Sequence, residues 1–439
     1  PPLPTGSTGA GSGAKERRRS LSSSSSCESV SSSSASDFSS WSLSQEEVEQ
    51  HPPAPPPADS APSSLLLAYY ELELSPPHEP VFTSLAAGAS LPPQFHLFAV
   101  PIPPRIESGE AAFPLNTLTS VSGGRSWLAT VSSGTCVFGF LASAPAVRML
   151  RTIAGQLLDA ASPDARRAVA SSLLKSMLVV PAPMPAHSGA LRLTTLALSP
   201  PDLADILLAL LLEAKLVLVS SSPGMLSSAA LAALALLAPF PWPYVFVPIV
   251  PAVMTQYLAA PTPFIMGASP VTVADQVGDG ATDVCVASLD GSGLARPLPD
   301  VYLEAPRPLR AAVIAAIVAG SRPELGCADR LQAGVPTAPV PTVLLSAVRA
   351  IWDRLLAALP YAVRTVQAST VLDRGVFLTL TLAAETRADG SGWASPALLP
   401  WLAAVSSSSL FAALVDGSDV PAPRPDLVSY LRTLPALRN

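Results

Sequence analysis

Charge is scarce in this sequence, and lysine is the scarcest charged residue. Charged residues make up 13% of the 439 residues, whereas ordinary soluble proteins carry roughly 25%. The lysines are Lys15, Lys175 and Lys215, and the other basic residues are arginines. With 26 basic and 32 acidic residues the net charge is −6, so the chain lacks the basic excess that binds a phosphate backbone. The composition therefore predicts no nucleic-acid partner.

Cysteines are few, and the short motifs of common enzymes are missing. Cys27, Cys136, Cys285 and Cys327 lie far apart with no ligand spacing, which argues against a zinc module and a disulfide scaffold. Reduced thiols in a cytosolic protein are the simpler interpretation. No glycine precedes a lysine, so there is no GK[ST] phosphate loop, and there is no GxSxG nucleophile motif. We predict no metal, no cofactor, no catalytic residue, and a cytoplasmic location.

A charge-free segment runs from Leu226 to Met254, and such runs usually suggest a membrane span. It contains prolines at 239, 241, 243, 248 and 251, which stop a helix and force an extended path. A helix over 225–238 would be about 20 Å long, short of the roughly 30 Å of hydrocarbon in a bilayer. We therefore predict a buried helix, a rigid proline corner and a core strand, and no transmembrane segment.

The composition of the chain changes near residue 62. Residues 1–62 are rich in Ser, Gly and Pro and are predicted to be a disordered tail, because they have too few aliphatic residues to offset the entropy of ordering. Strand-like runs follow at 65–74, 95–102, 116–131 and 135–143. Gly123–Gly124 is predicted to form a hairpin turn. Apolar residues from Val147 to Leu158 then have helical spacing. Residues 65–160 are therefore predicted to be a small sheet followed by a helix.

The middle of the chain alternates helix and strand. Ser199, two prolines and Asp202 are typical of a helix N-terminus, and a turn is predicted at 222–224. Further helices are predicted at 225–238, 308–320 (closed by Gly320) and 342–359, and the remainder to Leu434 is predicted to be mostly helical. Strands are predicted at 215–221, 244–250, 263–267 and 282–290. This alternation predicts an α/β fold with a largely parallel sheet covered on both faces.

The segment "LLLEAKLVLVSSSPGMLSSAALAALALLAPFPWPYVFVPIVP" resembles the central module of DENN domains, a family that acts on Rab-type small GTPases. "YLAAPTPFIMGAS" (257–269) is similar to the family's Ala-Pro-Thr-Pro segment, and "SMLVVPAPMP" (176–185) to its proline-rich lead-in. The upstream "LTSVSGGRSW" and "CVFGFLASAPAVRMLRTI" resemble the family more loosely. Ser288-Leu289-Asp290 stands where the family usually has Asp-Leu-Asp.

The resemblance implies three modules and a function. The expected fold is a longin-like small α/β module (63–145), a three-layer α/β sandwich with a mostly parallel sheet (146–332), and a helical C-terminal module (342–434). A second change in composition, a Pro- and Ala-rich stretch at 332–341, separates the last two modules. The expected activity is guanine nucleotide exchange on a Rab-type GTPase, bound nucleotide-free or with GDP. The expected setting is membrane trafficking, with peripheral association to membranes of the vesicular pathway.

Nucleotide exchange needs a shaped surface, so the candidate residues are those predicted near one edge of the sheet or in its rigid corner. The GTPase-facing candidates are Ser220, Ser221, Trp242, Gln256, Tyr257 and Asp290. Trp242 is either an anchor or, more commonly, a core residue. Glu213 and Lys215 are either partner contacts or, more commonly, a helix-end charge pair. The residues that carry the family pattern are Glu213, Lys215, Pro239, Phe240, Pro248, Pro251, Pro261, Pro263 and Gly267.

Two other functions stay open at this point. A non-catalytic effector or scaffold with the same fold would bind the GTP-loaded form. A GTPase-activating protein would supply an arginine to the phosphoryl-transfer site, and Arg105 and Arg125 lie in predicted loops where they could do so.

Overall fold

Two five-stranded sheets and the helices around them make up most of the described chain. The computed structural model describes residues 65–73, 79–92, 95–99, 114–119, 124–132, 137–176, 188–277, 283–291, 293–296, 304–321, 340–366, 369–386 and 392–417. The strands are β1 (Leu66–Leu72), β2 (Pro80–Leu85), β3 (Leu115–Thr119), β4 (Arg125–Ser132), β5 (Val137–Ala142), β6 (Lys215–Val219), β7 (Val245–Val247), β8 (Phe264–Ala268), β9 (Val284–Ser288), β10 (Gly293–Arg296), β11 (Val363–Val366) and β12 (Ser369–Leu372). The helices are α1 (Val147–Leu158), α2 (Pro163–Lys175), α3 (Ser188–Ala197), α4 (Pro200–Leu211), α5 (Pro223–Leu237), α6 (Pro270–Gln276), α7 (Arg307–Ser321), α8 (Val340–Leu355), α9 (Leu359–Ala362), α10 (Arg374–Glu385), α11 (Leu398–Ser406) and α12 (Ser409–Asp416). Two 3₁₀ helices span Phe95–Phe98 and Ala252–Ala259.

The first sheet is antiparallel, in the order β2-β1-β5-β4-β3. The strands predicted within 65–74, 116–131 and 135–143 are confirmed, and β3 pairs with β4 as the predicted hairpin requires. Gly123 of its turn lies outside the described residues. Helix α1 follows the sheet as predicted. The longin-like identity of this module stays a prediction.

The strand predicted at 95–102 is wrong over its described part. Residues Phe95–Phe98 form a 3₁₀ turn that begins where the Phe95 amide donates to the Pro92 carbonyl. The turn places the Phe95 ring 5.0 Å from the ring of Tyr70. A buried ring on the face of a sheet gives the same apolar signal as a strand residue, so the pattern alone cannot separate the two.

The second sheet has the order β10-β9-β6-β8-β7. Strands β9, β6, β8 and β7 are parallel neighbours, and β10 is antiparallel to β9, so the predicted mostly parallel sheet is confirmed. Alternate residues of β6 enter two different apolar clusters, Leu216 and Leu218 in one and Val217 and Val219 in the other. The larger cluster also contains residues of the first sheet and of the C-terminal helices. The three-layer arrangement and the three module boundaries stay predictions.

The charge-free segment forms a helix, a corner and an edge strand. Helix α5 is largely buried, and Ser222 caps it by accepting a hydrogen bond from the Met225 amide at 3.4 Å. The predicted turn at 222–224 is therefore the first turn of this helix. The strand predicted at 244–250 is confirmed over the three residues of β7, but it lies at the edge of the sheet rather than in its core. Pro248 follows it directly and has no amide to donate, which suits an edge.

The C-terminal part departs from the predictions in two places. A hairpin of β11 and β12 interrupts the predicted helical remainder, and its sequence is rich in the β-branched residues that favour strands. Gly320 does not close α7 but lies within it, and a Cβ at Gly320 would overlap the backbone of Leu344 in α8. The glycine thus allows two helices to pack closely.

No single helix among the described residues is long and apolar enough to cross a membrane. Helices α11 and α12 pass that test only as a pair, bent by 62°.

Candidate functional site

Three of the predicted residues meet where β6 and β9 end. Ser220 Oγ donates to Asp290 Oδ1 at 2.6 Å, and the Ser221 amide and hydroxyl donate to Asp290 Oδ2 at 2.8 and 3.0 Å. The hydrogen bond from Ser220 is the main reason that the pKa of Asp290 lies below its usual value. Because β6 and β9 are parallel neighbours, their carboxyl ends lie at the same end of the sheet, and these three residues meet there.

We call this hydrogen-bonded cluster the polar rim; it lies where β6 and β9 end. Ser220 is buried, whereas Ser221 and Asp290 are exposed. The Ser222 amide donates to Ser220 Oγ at 3.0 Å, so the same hydroxyl helps to hold the start of α5. The exposed hydroxyl and carboxylate can hydrogen-bond a partner without rearrangement.

Gln256 and Tyr257 lie on a different element, the 3₁₀ helix Ala252–Ala259. Both side chains are exposed, and the neighbouring Leu258 is buried against the sheet. This 3₁₀ helix ends directly before the Ala-Pro-Thr-Pro segment (260–263). Contact of these residues with a GTPase stays a prediction.

Trp242 packs in the core, where it is 4% exposed. Its indole Nε1 donates to the Val245 carbonyl at 3.2 Å, and its ring meets the ring of Tyr244 edge-on at 5.4 Å. Of the two roles considered for Trp242, the structure favours the core residue over the exposed anchor.

Arg125 is half-buried against the proline corner, the segment 239–251. Its Nη2 donates to the Trp242 carbonyl at 2.6 Å and to the Tyr244 carbonyl at 3.4 Å, and its guanidinium lies 5.3 Å from the centre of the Phe246 ring. Burial lowers the pKa of Arg125 below its usual value. These contacts tie the arginine to structure rather than to a GTPase active site. The other candidate arginine, Arg105, lies outside the described residues.

The same corner receives two more polar side chains from the antiparallel sheet. Asn116 Nδ2 donates to the Ile249 carbonyl at 2.7 Å, and Thr117 Oγ1 donates to the Phe246 carbonyl at 2.5 Å. Nearby, Ser227 Oγ accepts from the Leu115 amide and donates to the Leu115 carbonyl. With Arg125, these residues form what we call the inter-sheet junction. Sequence reasoning missed the junction, although Asn116 and Thr117, two polar residues between Leu115 and Leu118, were an available signal.

Glu213 and Lys215 do not pair with each other, so that prediction is wrong. Glu213 has a left-handed backbone with φ of 60°, and its carboxylate accepts from the Leu410 amide at 2.9 Å. Lys215 pairs with Asp283 at 2.5 Å. Both residues are structural, as the more common interpretation had it, but their partners lie elsewhere. Glu213 joins the end of α4 to the start of α12.

The remaining pattern residues build the corner and the strands beside it. Phe240 is buried, with its ring 6.2 Å from those of Trp352 and Phe411. A Cβ at Gly267 would overlap the Pro248 carbonyl oxygen, so the close approach of the chain after β7 to β8 requires glycine here. Of the other prolines, Pro251 is buried, Pro239 and Pro263 are half-buried, and Pro261 is exposed.

In the part of the chain that the structure describes, no group of three or more His, Cys, Asp or Glu residues is arranged to hold a metal ion.

Comparisons with known proteins match this central region. The model of the DENN (AEX-3) domain family matches residues 140–292. DENN domain-containing protein 2B from Mus musculus and from Homo sapiens are each 32% identical over 116 residues, 26% of this chain and 10% of theirs. DENN domain-containing protein 1C from Mus musculus is 32% identical over 139 residues, 30% of this chain and 18% of its own. The matches therefore span less than a fifth of these relatives. Residues 140–292 of the chain therefore match the DENN domain family and are similar to the corresponding part of these relatives.

Proposed function

We propose that this protein is a guanine nucleotide exchange factor for a Rab-type small GTPase. The observation that carries the proposal is the DENN domain over residues 140–292. That segment contains the parallel strands β6, β7, β8 and β9, the polar rim at Ser221 and Asp290, and the 3₁₀ helix Ala252–Ala259. The proposed setting is the cytoplasm, with recruitment to membranes of the vesicular pathway.

Exchange requires differential binding and no covalent step. A factor that binds the nucleotide-free GTPase more tightly than the loaded one shifts the equilibrium towards nucleotide release. Displacing the loop that holds magnesium over the nucleotide is sufficient, because the metal neutralises the phosphate charge. The exchange factor must therefore present a surface of fixed shape to that loop.

The inter-sheet junction supports such a surface. Arg125, Asn116 and Thr117 bond to backbone carbonyls of the proline corner, so directional contacts join the two sheets in addition to apolar packing. A preorganised surface loses less entropy on binding than a mobile one. In this proposal the polar rim contributes hydrogen bonds to the GTPase, and the 3₁₀ helix contributes Gln256 and Tyr257.

The test is a comparison of nucleotide states. The full chain is offered a panel of Rab-type GTPases that are nucleotide-free, GDP-loaded or GTP-loaded, and release of fluorescent GDP is measured in parallel. We expect one GTPase to bind best without nucleotide and to release GDP faster. Preference for the GTP-loaded form without faster release would refute exchange in favour of an effector role, and faster hydrolysis would favour an activating role.

Substitutions at the rim sharpen the test. Asp290→Ala removes the acceptor of three hydrogen bonds, and Ser221→Ala removes the exposed hydroxyl that donates to Asp290 Oδ2. The matched control is Asp283→Ala, which removes the partner of Lys215 at the start of the strands. Slower GDP release for the rim variants but not for the control supports a role for the rim in exchange.

A further inference from the structure

The carboxylate of Asp290 is held by three donors at the end of the parallel sheet. Ser220 Oγ donates to Oδ1, and the Ser221 amide and hydroxyl donate to Oδ2. A carboxylate has about four lone-pair sites, so one site on Oδ1 is left for a further donor. Asp290 is exposed, so a group from outside the protein can reach that site.

The side chains of the polar rim offer acceptors to a partner and no free donor. The Ser221 hydroxyl gives its proton to Asp290 Oδ2 at 3.0 Å, which leaves its oxygen as an acceptor. The Ser220 hydroxyl is buried and gives its proton to Asp290 Oδ1. A group that binds these side chains must therefore donate hydrogen bonds.

The charge of Asp290 is not neutralised within the described part of the chain. Hydrogen bonds from Ser220 and Ser221 lower its pKa, so the side chain is ionised at neutral pH. None of the ion pairs among the described residues includes Asp290. A second carboxylate lies at this end of the sheet, because Asp202 Oδ2 would be 2.8 Å from a Cβ on Gly293, and Gly293 pairs with the last residue of β9. A neutral donor would cover the Asp290 charge without pairing it, which is costly, so the fitting donor is the cationic side chain of an arginine or a lysine.

Ser220 fixes the direction of this carboxylate. It is 1% exposed, and its hydroxyl donates to Asp290 while it accepts from the Ser222 amide at 3.0 Å. Its own amide donates to the Ala268 carbonyl at the end of β8, at 3.3 Å. Ser220 thereby joins the ends of β6, β8 and β9 to the start of α5. A carboxylate held in this way is oriented before a partner arrives, which lowers the entropy cost of binding.

We propose, on the basis of the proposed function, that Asp290 receives a cationic side chain of the GTPase and that Ser220 is the positioning residue that aims its carboxylate. Asp290 touches the partner, whereas Ser220 acts through Asp290. Two residues that the sequence grouped together as contacts thus have different tasks. A charged contact at a fixed place also selects among GTPases, because one without a basic residue there would leave the carboxylate unpaired.

The role of the charge is tested with Asp290→Asn in the full chain, using the GTPase of the panel that binds best without nucleotide. The amide keeps the shape of the side chain but removes its charge. We expect binding of the nucleotide-free GTPase to weaken about tenfold, or about 1.4 kcal/mol, and to lose most of its dependence on salt. The matched control is Asp283→Asn, which removes a half-exposed carboxylate directly before β9, at the other end of the strand. The control should bind like the wild type.

The cationic group is identified from the side of the GTPase. Its exposed arginines and lysines are replaced one at a time by methionine, and each variant is offered to the wild-type chain and to Asp290→Asn. One replacement should weaken binding to the wild type but not to Asp290→Asn, a coupling of about fivefold or more. If no basic residue of the GTPase couples to Asp290, the cationic contact is overturned.

The variant Ser220→Ala separates positioning from charge. It keeps the carboxylate, so the association rate and its salt dependence should stay those of the wild type, whereas dissociation should become faster by about fivefold. A merely structural defect would instead lower the fraction of the chain that binds and leave the dissociation rate of the remainder unchanged. Dissociation at the wild-type rate would overturn the positioning role of Ser220.

The outcomes also separate this proposal from the proposed function. Undiminished binding by Asp290→Asn, together with exchange by the wild type, would overturn the contact and leave the exchange activity standing. If the wild-type chain neither binds nor exchanges any GTPase of the panel, the proposed function fails and the contact fails with it.

Discussion

The substitution Glu385→Gln should destabilise the C-terminal helices severely. Glu385 is 3% exposed and accepts hydrogen bonds from Arg354 Nε at 2.9 Å, from Arg354 Nη2 at 2.6 Å and from the Trp393 amide at 2.8 Å. A glutamine keeps the shape but removes the charge and turns one acceptor into a donor. Breaking a fully buried ion pair by removing one partner costs about 3–5 kcal/mol. Because the Arg354 side chain is 30% exposed, the loss should lie near the lower end of that range, which is still a large part of the roughly 5–15 kcal/mol that stabilises a domain.

Urea unfolding followed by tryptophan fluorescence measures this loss. The matched control is Asp353→Asn, which breaks the half-exposed pair of Arg349 and Asp353 on α8 and should cost no more than about 1 kcal/mol. Replacing Arg354 and Glu385 together by methionine should recover most of the stability, because no unpaired charge is then buried. A loss for Glu385→Gln no larger than that of the control would refute this reasoning.

Three further outcomes are expected. Gly267→Ala should lower stability by about 1–3 kcal/mol, because its Cβ overlaps a backbone oxygen of the corner; an unchanged melting temperature would contradict this. The pKa of Asp290 is lowered in the fold, so the stabilisation from its charged form is present above about pH 4 and is lost as the pH falls through that lowered pKa. The difference in melting temperature between the wild type and Asp290→Asn should therefore disappear in acid. A difference that stays constant with pH would contradict this prediction. Arg125→Met should speed hydrogen exchange in β4 and β7, and unchanged protection there would exclude a tethering role.

The elements that depend on local signals were predicted from the spacing of apolar residues and from the turn and capping residues that bound them. The strands β6, β8 and β9 are short apolar runs bounded by turn residues, and such runs identify buried parallel strands. Ser199 caps α4 as predicted, with its Oγ accepting from the Asp202 amide at 3.3 Å. The meeting of Ser220, Ser221 and Asp290 follows from the same logic, because parallel strands end at a common edge.

The features that sequence reasoning missed depend on contacts between distant segments. Glu213 lies two residues before Lys215 in the sequence, yet its carboxylate accepts a hydrogen bond from the distant Leu410 amide. No local pattern encodes that contact. Gly320 has the position of a helix C-cap, but it serves the close approach of Leu344. Strand β2 was not predicted because half-exposed runs that contain a proline give a weak strand signal.

The inter-sheet junction has a consequence for self-association. A free sheet edge exposes unpaired amides and carbonyls that can recruit a strand from another molecule. Strand β7 lies at one edge of its sheet and β3 at one edge of the other. The Phe246 carbonyl of β7 is taken by Thr117, and both backbone groups of Leu115 in β3 are taken by Ser227. Side chains thus satisfy backbone groups at both edges, and a substitution such as Thr117→Val would leave the buried Phe246 carbonyl without this hydrogen-bond donor.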